Sequence, residues 1–529
     1  MAKKRFYITT PIYYPSGNAH IGHAYCTTMC DIFARNKRMR GYECYFLTGT
    51  DEHGVKIEKK AQEAGVTPQE YVDGISEQFK KLWKTMEISN DDFIRTTEER
   101  HWTIIQKVFS HMIKNDDVYL GKYEGWYCTP CESFWTDTQV GENHLCPDCG
   151  RPVQKETEEC YFFKTQKYID VVNDWYKLPE SVYPISRKNE MINTFIKPGL
   201  SDLCVTRTSF KWGVPLLENP KHVSYVWVDA LFNYLTALGY GTSHDELYKK
   251  YWESEDSEII HVIGADITRF HTIYWPEFLA SMNLRLPDRV FVHGLIMMKD
   301  GKMSKSKGNV VSPYPLVEKY GVDAVRYYLA REIIFGEDGT FTPEQFIDRI
   351  NNDLVNNLGN LLSRTVAMVI KYFDGVVPGF KKGINPKDNE LEKLAEETIK
   401  KNEEDIDDLH ITEAYIEVMN MLDVANKYIE ENAPWNLAKD ETKKENLESV
   451  MSHLIYTLFV GAKLLEPILV NKSQEIYRQI GLTSEKANYK NIHDINICNG
   501  NKVTKGESLF PRLNVAEEVK YVASLMKNN

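Results

Sequence analysis

A turn at residues 15–23 reads Pro15-Ser16-Gly17-Asn18-Ala19-His20-Ile21-Gly22-His23, and it joins a β-like run over residues 5–10 to a helical pattern that stops at Gly41. The N-terminus of such a helix carries unpaired N–H groups and a partial positive charge, so we expect an anion, most simply phosphate, at this turn. His20 and His23 share one face of the first helical turn, where both rings can reach the same bound group. Gly22 between them allows that group to approach closely.

A second stretch with phosphate-binding character lies later and reads Asp300-Gly301-Lys302-Met303-Ser304-Lys305-Ser306-Lys307-Gly308-Asn309. It follows a β-like run over residues 289–298. Its three lysines between glycines are typical of a mobile loop that closes on polyphosphate. A basic loop exposed to solvent would have the same composition, but the presence of both stretches in one chain favours the phosphate interpretation.

The pattern between these stretches predicts an α/β fold with a Rossmann-type, doubly wound parallel sheet. A strand that starts near Tyr42 ends in a polar cluster containing Asp51, and open α/β sheets bind ligands at such strand ends. Capping boxes at Thr67 and Thr96 predict two helix starts. The later elements that we predict for this fold are strands at residues 223–230 and 259–266 and a helix at residues 270–276.

Residues 116–225 interrupt the sheet pattern with turn-rich, aromatic-rich sequence. The segment contains two Cys-x-x-Cys pairs, Cys128 with Cys131 and Cys146 with Cys149, separated by 14 residues. Each pair presents two thiolates to one tetrahedral ion, so the four cysteines predict one zinc site. Because four thiolates leave no open coordination position, we expect the zinc to be structural rather than catalytic. Four unligated thiols are the alternative.

From residue 346 the pattern becomes almost wholly helical and predicts an all-α bundle with charged outer faces. A capping box at Thr342 starts the first long helix, which we expect to end at Phe373 with Gly375 as its stop. Further helices are predicted around residues 391–406, 412–431 and 447–465. The domains that we predict are a catalytic sheet domain of residues 1–115 and 226–299, a zinc-binding insertion of residues 116–225, a mobile loop and connecting region of residues 300–345, and a helical bundle of residues 346–529.

Charge and cysteine usage limit the function classes. The formal net charge of -12 repels nucleic acid at long range, so any RNA contact must use local basic faces. Residues 454–470 are the most apolar late segment, but Lys463, Glu466 and Pro467 interrupt them, so we expect no membrane span. No apolar stretch follows the basic N-terminal residues, which argues against a signal peptide. Ten cysteines, four of them in the paired spacing, favour a reducing cytoplasm over a disulfide framework.

The two stretches together resemble the two signature sequences of class I aminoacyl-tRNA synthetases. The matching segments are the tetrapeptide His20-Ile21-Gly22-His23 and the pentapeptide Lys302-Met303-Ser304-Lys305-Ser306. Within that class the chain is most similar to the methionyl-tRNA synthetases, from the first strand to the end. The resemblance implies a methionine–tRNA ligase activity, in which methionine and ATP form methionyl-adenylate and pyrophosphate, and the methionyl group then passes to the 3′ end of tRNA(Met).

The resemblance also implies which residues bind the substrates of activation. His20 and His23 would stabilise the phosphates, and Lys302 and Lys305 would stabilise the departing pyrophosphate, because such transfers need positioning and charge neutralisation rather than covalent help. Asp51 would take the α-ammonium group of methionine. The ATP-binding residues implied are His20, Gly22, His23, Gly264, Asp266, His293, Ile296, Lys302, Ser304 and Lys305. The methionine-binding residues implied are Ile12, Tyr14, Asp51, Trp227, Leu231, Tyr234, Phe270, His271 and Trp275, and some family members have Pro where this chain has Leu231.

In the bundle, Asn360, Arg364 and Trp435 resemble the anticodon-binding residues of the family. Asn360 and Arg364 stand four residues apart on one helical face, and Trp435 offers a plane on which an unstacked base can stack. A helix cap and a core tryptophan are the alternative roles. The expected partners are methionine, ATP and tRNA(Met), with no membrane and with the chain as a monomer. The expected cofactors are one structural Zn²⁺ per chain and the Mg²⁺ that accompanies ATP, held by phosphates and waters.

Three other functions fit parts of the same sequence. A leucyl-, valyl-, isoleucyl- or cysteinyl-tRNA synthetase would share the signatures, but the first three usually carry a larger editing insertion than residues 116–225, and the cysteinyl enzyme uses zinc as a substrate ligand. A small nucleotidyltransferase with a His-x-x-His turn would leave the bundle and the insertion without a purpose. A zinc-ribbon RNA-binding protein with a degenerate nucleotide fold is the non-enzymatic alternative.

Overall fold

The computed structural model describes residues 5–526 apart from 16, 18, 130–132, 136, 148, 299–300 and 303–309. The strands, in chain order, are β1 (Arg5–Tyr13), β2 (Glu43–Thr50), β3 (Asp92–Arg95), β4 (Val118–Cys128), β5 (Ser133–Trp135), β6 (Gln154–Phe163), β7 (Val182–Tyr183), β8 (Leu203–Cys204), β9 (Thr206–Arg207), β10 (Val223–Ser224), β11 (Ser257–Gly264), β12 (Arg289–His293), β13 (Ile296–Met298), β14 (Gly301–Lys302) and β15 (Gly339–Thr340).

The α-helices, in chain order, are α1 (Ile21–Met39), α2 (Val55–Ala64), α3 (Pro68–Thr85), α4 (Glu99–Lys114), α5 (Asp137–Val140), α6 (Ile169–Tyr176), α7 (Ile185–Met191), α8 (Val226–Leu231), α9 (Asn233–Thr236), α10 (Glu246–Tyr248), α11 (Trp275–Ser281), α12 (Pro313–Tyr320), α13 (Val322–Glu332), α14 (Pro343–Arg349), α15 (Asn360–Phe373), α16 (Asp388–Asp407), α17 (Ile411–Asn432), α18 (Pro434–Leu437), α19 (Lys444–Leu465), α20 (Lys472–Gln479) and α21 (Val515–Leu525). Short 3-10 or π segments lie at Thr165–Lys167, Ile192–Ile196, Lys249–Glu253, Ala265–Ile267, Phe270–Tyr274, Ile350–Gly359, Glu441–Lys443 and Tyr489–Asn491.

These elements belong to two units. The first unit contains Met1–Ala19, Tyr42–Trp83 and Ser89–His293, and the second contains His20–Gly41, Lys84–Ile88 and Gly294–Asn529.

A six-stranded sheet in the order β3-β2-β1-β11-β12-β7 runs through the first unit, and its neighbouring strands are parallel. The strand order reverses between β1 and β11, and doubly wound sheets bind ligands beside such a switch point, at the carboxyl ends of the strands. The predicted α/β fold with a parallel sheet is therefore confirmed. Strand β7 comes from within residues 116–225, so this segment contributes an edge strand to the sheet that it interrupts in sequence.

The sheet forms the centre of the first unit because its strands are nearly continuous apolar runs, the pattern of a parallel sheet covered on both faces. In β11, every residue except Glu258 is buried. The core joins the strands to apolar residues of α4, α8, α9 and α11. A separate antiparallel sheet in the order β5-β4-β6-β8 lies in the segment that we predicted as the insertion.

The second unit contains the predicted helical bundle, in which α16, α17 and α19 pack against one another. Helix α19 is buried at every position from Ser449 to Leu465, as a helix that is apolar on all sides must be. The first long helix runs from Pro343 to Phe373 with π-helical turns in its middle, and Thr342 Oγ1 accepts a hydrogen bond from Gln345 N at 3.2 Å. None of the helices in the described ranges has the length and apolarity that crossing a membrane requires.

The predicted strand at residues 223–230 is wrong, because β10 contains only Val223 and Ser224 and α8 starts at Val226. A short apolar run fits a strand and a buried helix equally well. Within α8, the fully buried Asp229 carboxylate contacts His53 and His101, so buried polar contacts help to set the conformation of this segment.

The two capping boxes predicted in the first unit have different outcomes. At Thr67 the box is confirmed, since Glu70 N donates to Thr67 Oγ1 at 3.2 Å and Thr67 N donates to Glu70 Oε2 at 2.9 Å. At Thr96 the prediction is wrong, because α4 starts at Glu99 and has no side-chain cap. The Thr96 hydroxyl instead accepts a hydrogen bond from Glu52 N at 2.9 Å.

The single strand expected over residues 289–298 is divided into β12, in the first unit, and β13, in the second. The break falls at Gly294, where a Cβ atom would lie 2.0 Å from the carbonyl oxygen of Glu337. Leu295 N then donates to Asp338 Oδ1 at 2.7 Å instead of to a strand partner. The close approach of the 337–338 backbone therefore redirects the chain.

Candidate active site

The second unit presents His20 and His23 at the start of α1. His20 is the N-cap: its Nδ1 accepts a hydrogen bond from Gly22 N at 3.1 Å, and His23 Nδ1 accepts one from His20 N at 3.1 Å. The two rings stack with their centroids 3.8 Å apart. Because each Nδ1 accepts from a backbone N–H, the neutral form of each ring carries its proton on Nε2, and an N–H donor is what a phosphate oxygen requires.

The first backbone N–H groups of α1 are occupied, which corrects our expectation that they would face an anion. Ile21 N donates to Val311 O at 3.0 Å, Gly22 N donates to the His20 ring, and His23 N donates to His20 O at 3.0 Å. The paired histidines thus form a capping box, and together with Val311 O they satisfy the first N–H groups of the helix. The imidazole N–H groups are therefore the donors that this turn would offer to an anion.

Helix α1 is anchored along its length within the second unit. In its middle, the fully buried Asp31 carboxylate accepts a hydrogen bond from Arg326 Nη2 at 2.7 Å. At its C-terminal end, Lys37 and Arg40 each contact Asp407 at 2.7 Å. Removing one partner of a buried ion pair leaves an uncompensated charge, which is strongly destabilising. The axis of α1, and with it the position of both histidine rings, is therefore well fixed.

Little of the second signature lies within the described residues. Lys302 ends β14, whose backbone pairs antiparallel with β13. Ser304 and Lys305 lie outside the described residues. Ile296 is the first residue of β13 and is buried.

Three predicted ATP-binding residues of the first unit come together at the carboxyl ends of β11 and β12. Gly264 and His293 are paired in register as the last residues of these strands. A Cβ atom on Gly264 would lie 2.7 Å from Asp266 Oδ1 and 3.8 Å from His293 Nε2. Glycine at position 264 therefore allows the Asp266 carboxylate to lie against the strand end.

On the other side of the switch point, three predicted methionine-binding residues lie at the ends of β1 and β2. Ile12 is in the part of β1 that pairs with β2, and Tyr14 follows β1 directly. Asp51 follows β2 and is buried, and its backbone N donates to Tyr13 O at 3.1 Å. These three residues thus lie at or directly after the adjacent ends of two parallel strands.

An aromatic wall in the same unit contains further predicted methionine-binding residues. Trp227 and Phe270 stack face to face with their ring centroids 3.5 Å apart and an interplanar angle of 7°. Leu231 lies one helical turn beyond Trp227 on α8 and is buried. The rings of Tyr234 and Trp275 lie 6.0 Å apart, and both are buried.

Tyr234 is joined to His271 by a hydrogen bond whose direction can be assigned. Tyr234 Oη lies 2.8 Å from His271 Nε2, and His271 Nδ1 lies 3.0 Å from Ile267 O. Because a carbonyl oxygen only accepts, Nδ1 carries the proton and Nε2 accepts from the tyrosine hydroxyl. Burial lowers the pKa of His271 to about 4. The ring is therefore neutral at pH 7.

A buried charged network behind this wall was not predicted from the sequence. Asp229 on α8 is fully buried, and its carboxylate contacts His53 Nδ1 at 2.6 Å and His101 Nε2 at 3.0 Å. Burial alone would raise the pKa of Asp229, but the charge of His53 and the hydrogen bonds from both histidines lower it to about 2. His53 stands two residues after Asp51, so this network ties the Asp51 loop to the helix that carries Trp227. The sequence feature that could have indicated this network is Asp229, a single acidic residue within an apolar run.

The segment after β4 gathers three of the four predicted zinc ligands. The sulfur atoms of Cys128, Cys146 and Cys149 lie within 4.8 Å of one another, and those of Cys128 and Cys149 are 3.6 Å apart. Cys131 lies outside the described residues. A tetrahedral zinc ion with Zn–S bonds of about 2.3 Å separates its sulfur ligands by about 3.8 Å. The cysteine cluster could therefore hold a metal ion of this kind.

The three predicted anticodon-binding residues lie near the C-terminal end of α17, in the second unit. Asn360 donates to Asn426 Oδ1 at 3.3 Å, and Arg364 Nη2 donates to Glu430 Oε1 at 2.6 Å. Both partners belong to the last two turns of α17. Trp435 follows that helix by three residues and is 37% exposed, so it is not a core residue.

Two family models match this chain. A model of the class I tRNA synthetases (M) matches residues 6–160 and 151–366, and a model of the anticodon binding domain of methionyl tRNA ligase matches residues 378–526. The two matches together extend from the parallel sheet to the last helix.

Full-length relatives give the same result. The methionine–tRNA ligase of Bacillus subtilis is 52% identical over 536 residues, which cover 99% of this chain and 80% of that protein. The methionine–tRNA ligase of Enterococcus faecalis is 50% identical over 538 residues, which cover 100% of this chain and 80% of that protein. Among solved structures, the crystal structure of Mycobacterium tuberculosis methionyl-tRNA synthetase bound by methionyl-adenylate matches with a TM-score of 0.91. The match covers 96% of this chain and 100% of that one, at 37% sequence identity. The chain belongs to the methionine–tRNA ligase family of class I aminoacyl-tRNA synthetases.

Proposed function

We propose that the carboxyl edge of the six-stranded sheet is where this chain binds and activates methionine. Two observations support the proposal: residues of the segments around 12, 227–234 and 270–275 belong to or pack against one hydrophobic core, and His53, two residues after Asp51, contacts Asp229 on α8 at 2.6 Å. A thioether is apolar, long and unbranched, so it suits an aromatic wall, and the α-ammonium group needs a carboxylate nearby. Asp51 has that role. The full set of proposed methionine-binding residues is Ile12, Tyr14, Asp51, Trp227, Leu231, Tyr234, Phe270, His271 and Trp275.

Activation joins the methionine carboxylate to the α-phosphate of ATP. One carboxylate oxygen attacks the α-phosphorus, and the bond to the pyrophosphate oxygen breaks as the new bond forms. The Nε2–H donors of His20 and His23 stabilise the phosphate oxygens, and Lys302 and Lys305 stabilise the pyrophosphate as it leaves. Mg²⁺ bound by the phosphates would neutralise part of their charge. The remaining proposed ATP-binding residues are Gly22, Gly264, Asp266, His293, Ile296 and Ser304.

The methionyl group is then transferred to the 3′ end of tRNA(Met), and we assign recognition of the anticodon to the bundle. Support for this comes from the exposed ring of Trp435 and from the side chains of Asn360 and Arg364 near the end of α17. Exposed aromatic planes and hydrogen-bonding side chains are what single-stranded RNA loops require of a protein.

We assign the cysteine cluster to one structural zinc ion held by Cys128, Cys131, Cys146 and Cys149. The domain division that we propose is residues 1–115 with 226–299, residues 116–225, residues 300–345 and residues 346–529. We also propose that the chain acts in the cytoplasm, and the compartment is supported by the absence of disulfides among the described cysteines. A monomeric state stays a prediction.

Methionine-dependent exchange of pyrophosphate into ATP, without tRNA, tests the assignment of the site. We expect exchange with methionine and at least tenfold less with leucine, valine, isoleucine or cysteine, because one methylene group in an apolar pocket already changes binding by about 1–3 kcal/mol. An Asp51→Asn variant should raise the KM for methionine and leave the KM for ATP unchanged. A better response to one of the other amino acids, or an unchanged KM in that variant, would reject the proposed pocket.

A further inference from the structure

His261 in β11 lies directly behind the proposed methionine pocket and contacts two of its residues. Its side chain is fully buried. Its ring stacks on the ring of Tyr234 with centroids 4.1 Å apart and an interplanar angle of 26°. Trp275 Nε1 lies 3.2 Å from His261 Nε2, and Thr9 Oγ1 lies 2.8 Å from His261 Nδ1. One buried imidazole thus joins strand β1 to two aromatic residues of the pocket.

The partners of His261 fix its protonation and its tautomer. An indole N–H can only donate, so Nε2 must be the acceptor for Trp275. The ring proton is then on Nδ1, which donates to Thr9 Oγ1. A second proton on Nε2 would face the Trp275 N–H, so the ring must stay neutral, and burial together with the nearby His271 lowers its pKa well below the usual value.

Tyr234 is held from three directions, and His261 supplies one of them. The Tyr234 carbonyl accepts a hydrogen bond from the Tyr7 hydroxyl at 2.7 Å, and its own hydroxyl donates to His271. The tilt of the Tyr234 ring is limited by the His261 ring on which it stacks. Without that face, the tilt of the Tyr234 ring relative to Trp275 would be less restricted.

We propose that His261 is a positioning residue for methionine binding, which sets the orientation of Tyr234 by stacking and that of Trp275 by accepting its indole hydrogen bond. The proposal rests on the proposed function, because it assumes that these two rings contact the methionine side chain. In this proposal, no atom of His261 takes part in the reaction. Its effect is on the affinity for methionine and not on the chemistry of the phosphates.

Two substitutions separate the two hydrogen bonds of His261. In His261→Gln, the amide oxygen reaches the place of Nε2 and still accepts from Trp275. In His261→Asn, the amide nitrogen takes the place of Nδ1 and still donates to Thr9, but the Trp275 N–H loses its acceptor. Both variants remove the stacking face. We expect the KM for methionine in the exchange reaction to rise about threefold in the Gln variant and about tenfold or more in the Asn variant, because a buried donor is then unsatisfied.

The KM for ATP and kcat should change less than about twofold in both variants, since an interaction lost equally from the ground state and the transition state appears in KM alone. The matched control is His222→Asn in the same unit. His222 is also fully buried and has its Nδ1 3.0 Å from Thr206 Oγ1, but none of its contacts is a pocket residue. A loss of folded protein would lower kcat per mole of chain in all three variants and leave KM unchanged.

The outcomes separate this proposal from the proposed function. If the wild-type chain shows no methionine-dependent exchange, the proposed function fails. If the wild type is active and the His261 variants keep its KM for methionine, or change both KM values equally, His261 is not a positioning residue. Should either variant fail to fold, Thr9→Val removes the acceptor of Nδ1–H with little change of volume, and it should raise the KM for methionine about threefold. An unchanged KM in that variant would also overturn the proposal.

Discussion

The neighbours of each histidine, rather than its residue type, decide which atom it can offer to a substrate. His20 and His23 accept backbone N–H groups at Nδ1, so their donors are the Nε2–H groups. His271 has the opposite arrangement, because its Nδ1–H donates to a carbonyl and its Nε2 is an acceptor. The same type of side chain can therefore donate to an anion at one site and accept from a tyrosine hydroxyl at another.

Acid should destabilise the protein through His271, and the sign follows from its two pKa values. The pKa is about 4 in the folded chain and 6.5 for an unperturbed histidine, so between these values only the unfolded chain binds the proton. The contribution of His271 to the free energy of unfolding is therefore complete above pH 6.5 and decreases as the pH falls. At pH 5 this contribution is lower by about 2 kcal/mol. Melting temperatures at pH 7.5 and pH 5 should differ less in His271→Gln than in the wild type. An equal difference in both proteins would contradict the assignment of a neutral, buried ring.

The residues of the candidate site were predictable to the extent that they belong to motifs. The resemblance implied His20, Asp51 and Tyr234, which lie at the start of α1, directly after β2 and in the aromatic wall. The contact partners of these residues and the buried network behind the wall were not predicted. His53 and Asp229, for example, are 176 positions apart, and no local sequence pattern indicates their contact. A contact between distant positions depends on the topology of the sheet, and the contact cannot be inferred from the local pattern of a single sequence.

At the scale of elements, the start of a helix was predictable when its capping residues had no stronger partner. Thr67 is exposed to solvent and caps α3, whereas the hydroxyl of Thr96 is buried and bonds to the backbone of Glu52. The strand expected at residues 223–230 failed for a related reason, since buried polar contacts of Asp229 favour a helix there. In both cases tertiary contacts outweighed a local preference of about 1 kcal/mol.

The caps of α1 and α3 offer a direct comparison of structural and catalytic roles. Thr67→Ala and His20→Ala each remove an N-cap side chain, so each should destabilise the chain by about 1 kcal/mol. Only His20→Ala should lower kcat for methionine-dependent exchange, by about 100-fold or more, because it also removes a donor to the phosphates. Exchange rates and melting curves of both variants test this. Equal activity of the two variants would leave His20 with a capping role alone.

The cysteine cluster should behave as a folding unit that depends on its metal. Cys146 is buried with Cys128, Trp135 and Val153, so Cys146→Ser should release the ion and loosen this small core. Structural zinc contributes about 10–16 kcal/mol in small peptides, which is more than so small a core can replace. Metal analysis should find about one zinc per wild-type chain and less in the variant, and proteolysis of the variant should start within residues 118–163. Active wild-type protein that contains no zinc would contradict the assignment.

At the scale of the whole molecule, the residues assigned to activation and those assigned to the anticodon occupy different parts of the chain. The former end at Lys305, and the latter lie between Asn360 and Trp435 in the bundle of the second unit. Pyrophosphate exchange needs no tRNA, whereas aminoacylation needs both sets of residues. A substitution in the bundle can therefore be tested for an effect on tRNA alone.

Trp435→Ala should weaken aminoacylation of tRNA(Met) while sparing pyrophosphate exchange. A base stacked on an aromatic ring contributes about 1–3 kcal/mol, so the KM for tRNA should rise by roughly 5-fold to 150-fold. Truncating a core tryptophan would cost about 3–5 kcal/mol and depress both reactions, but Trp435 is 37% exposed and should lose little stability. Val424→Ala is the matched control, because Val424 is 38% exposed in the same bundle and offers no stacking plane. Normal aminoacylation by the Trp435 variant, at a KM for tRNA equal to that of the control, would exclude the stacking role.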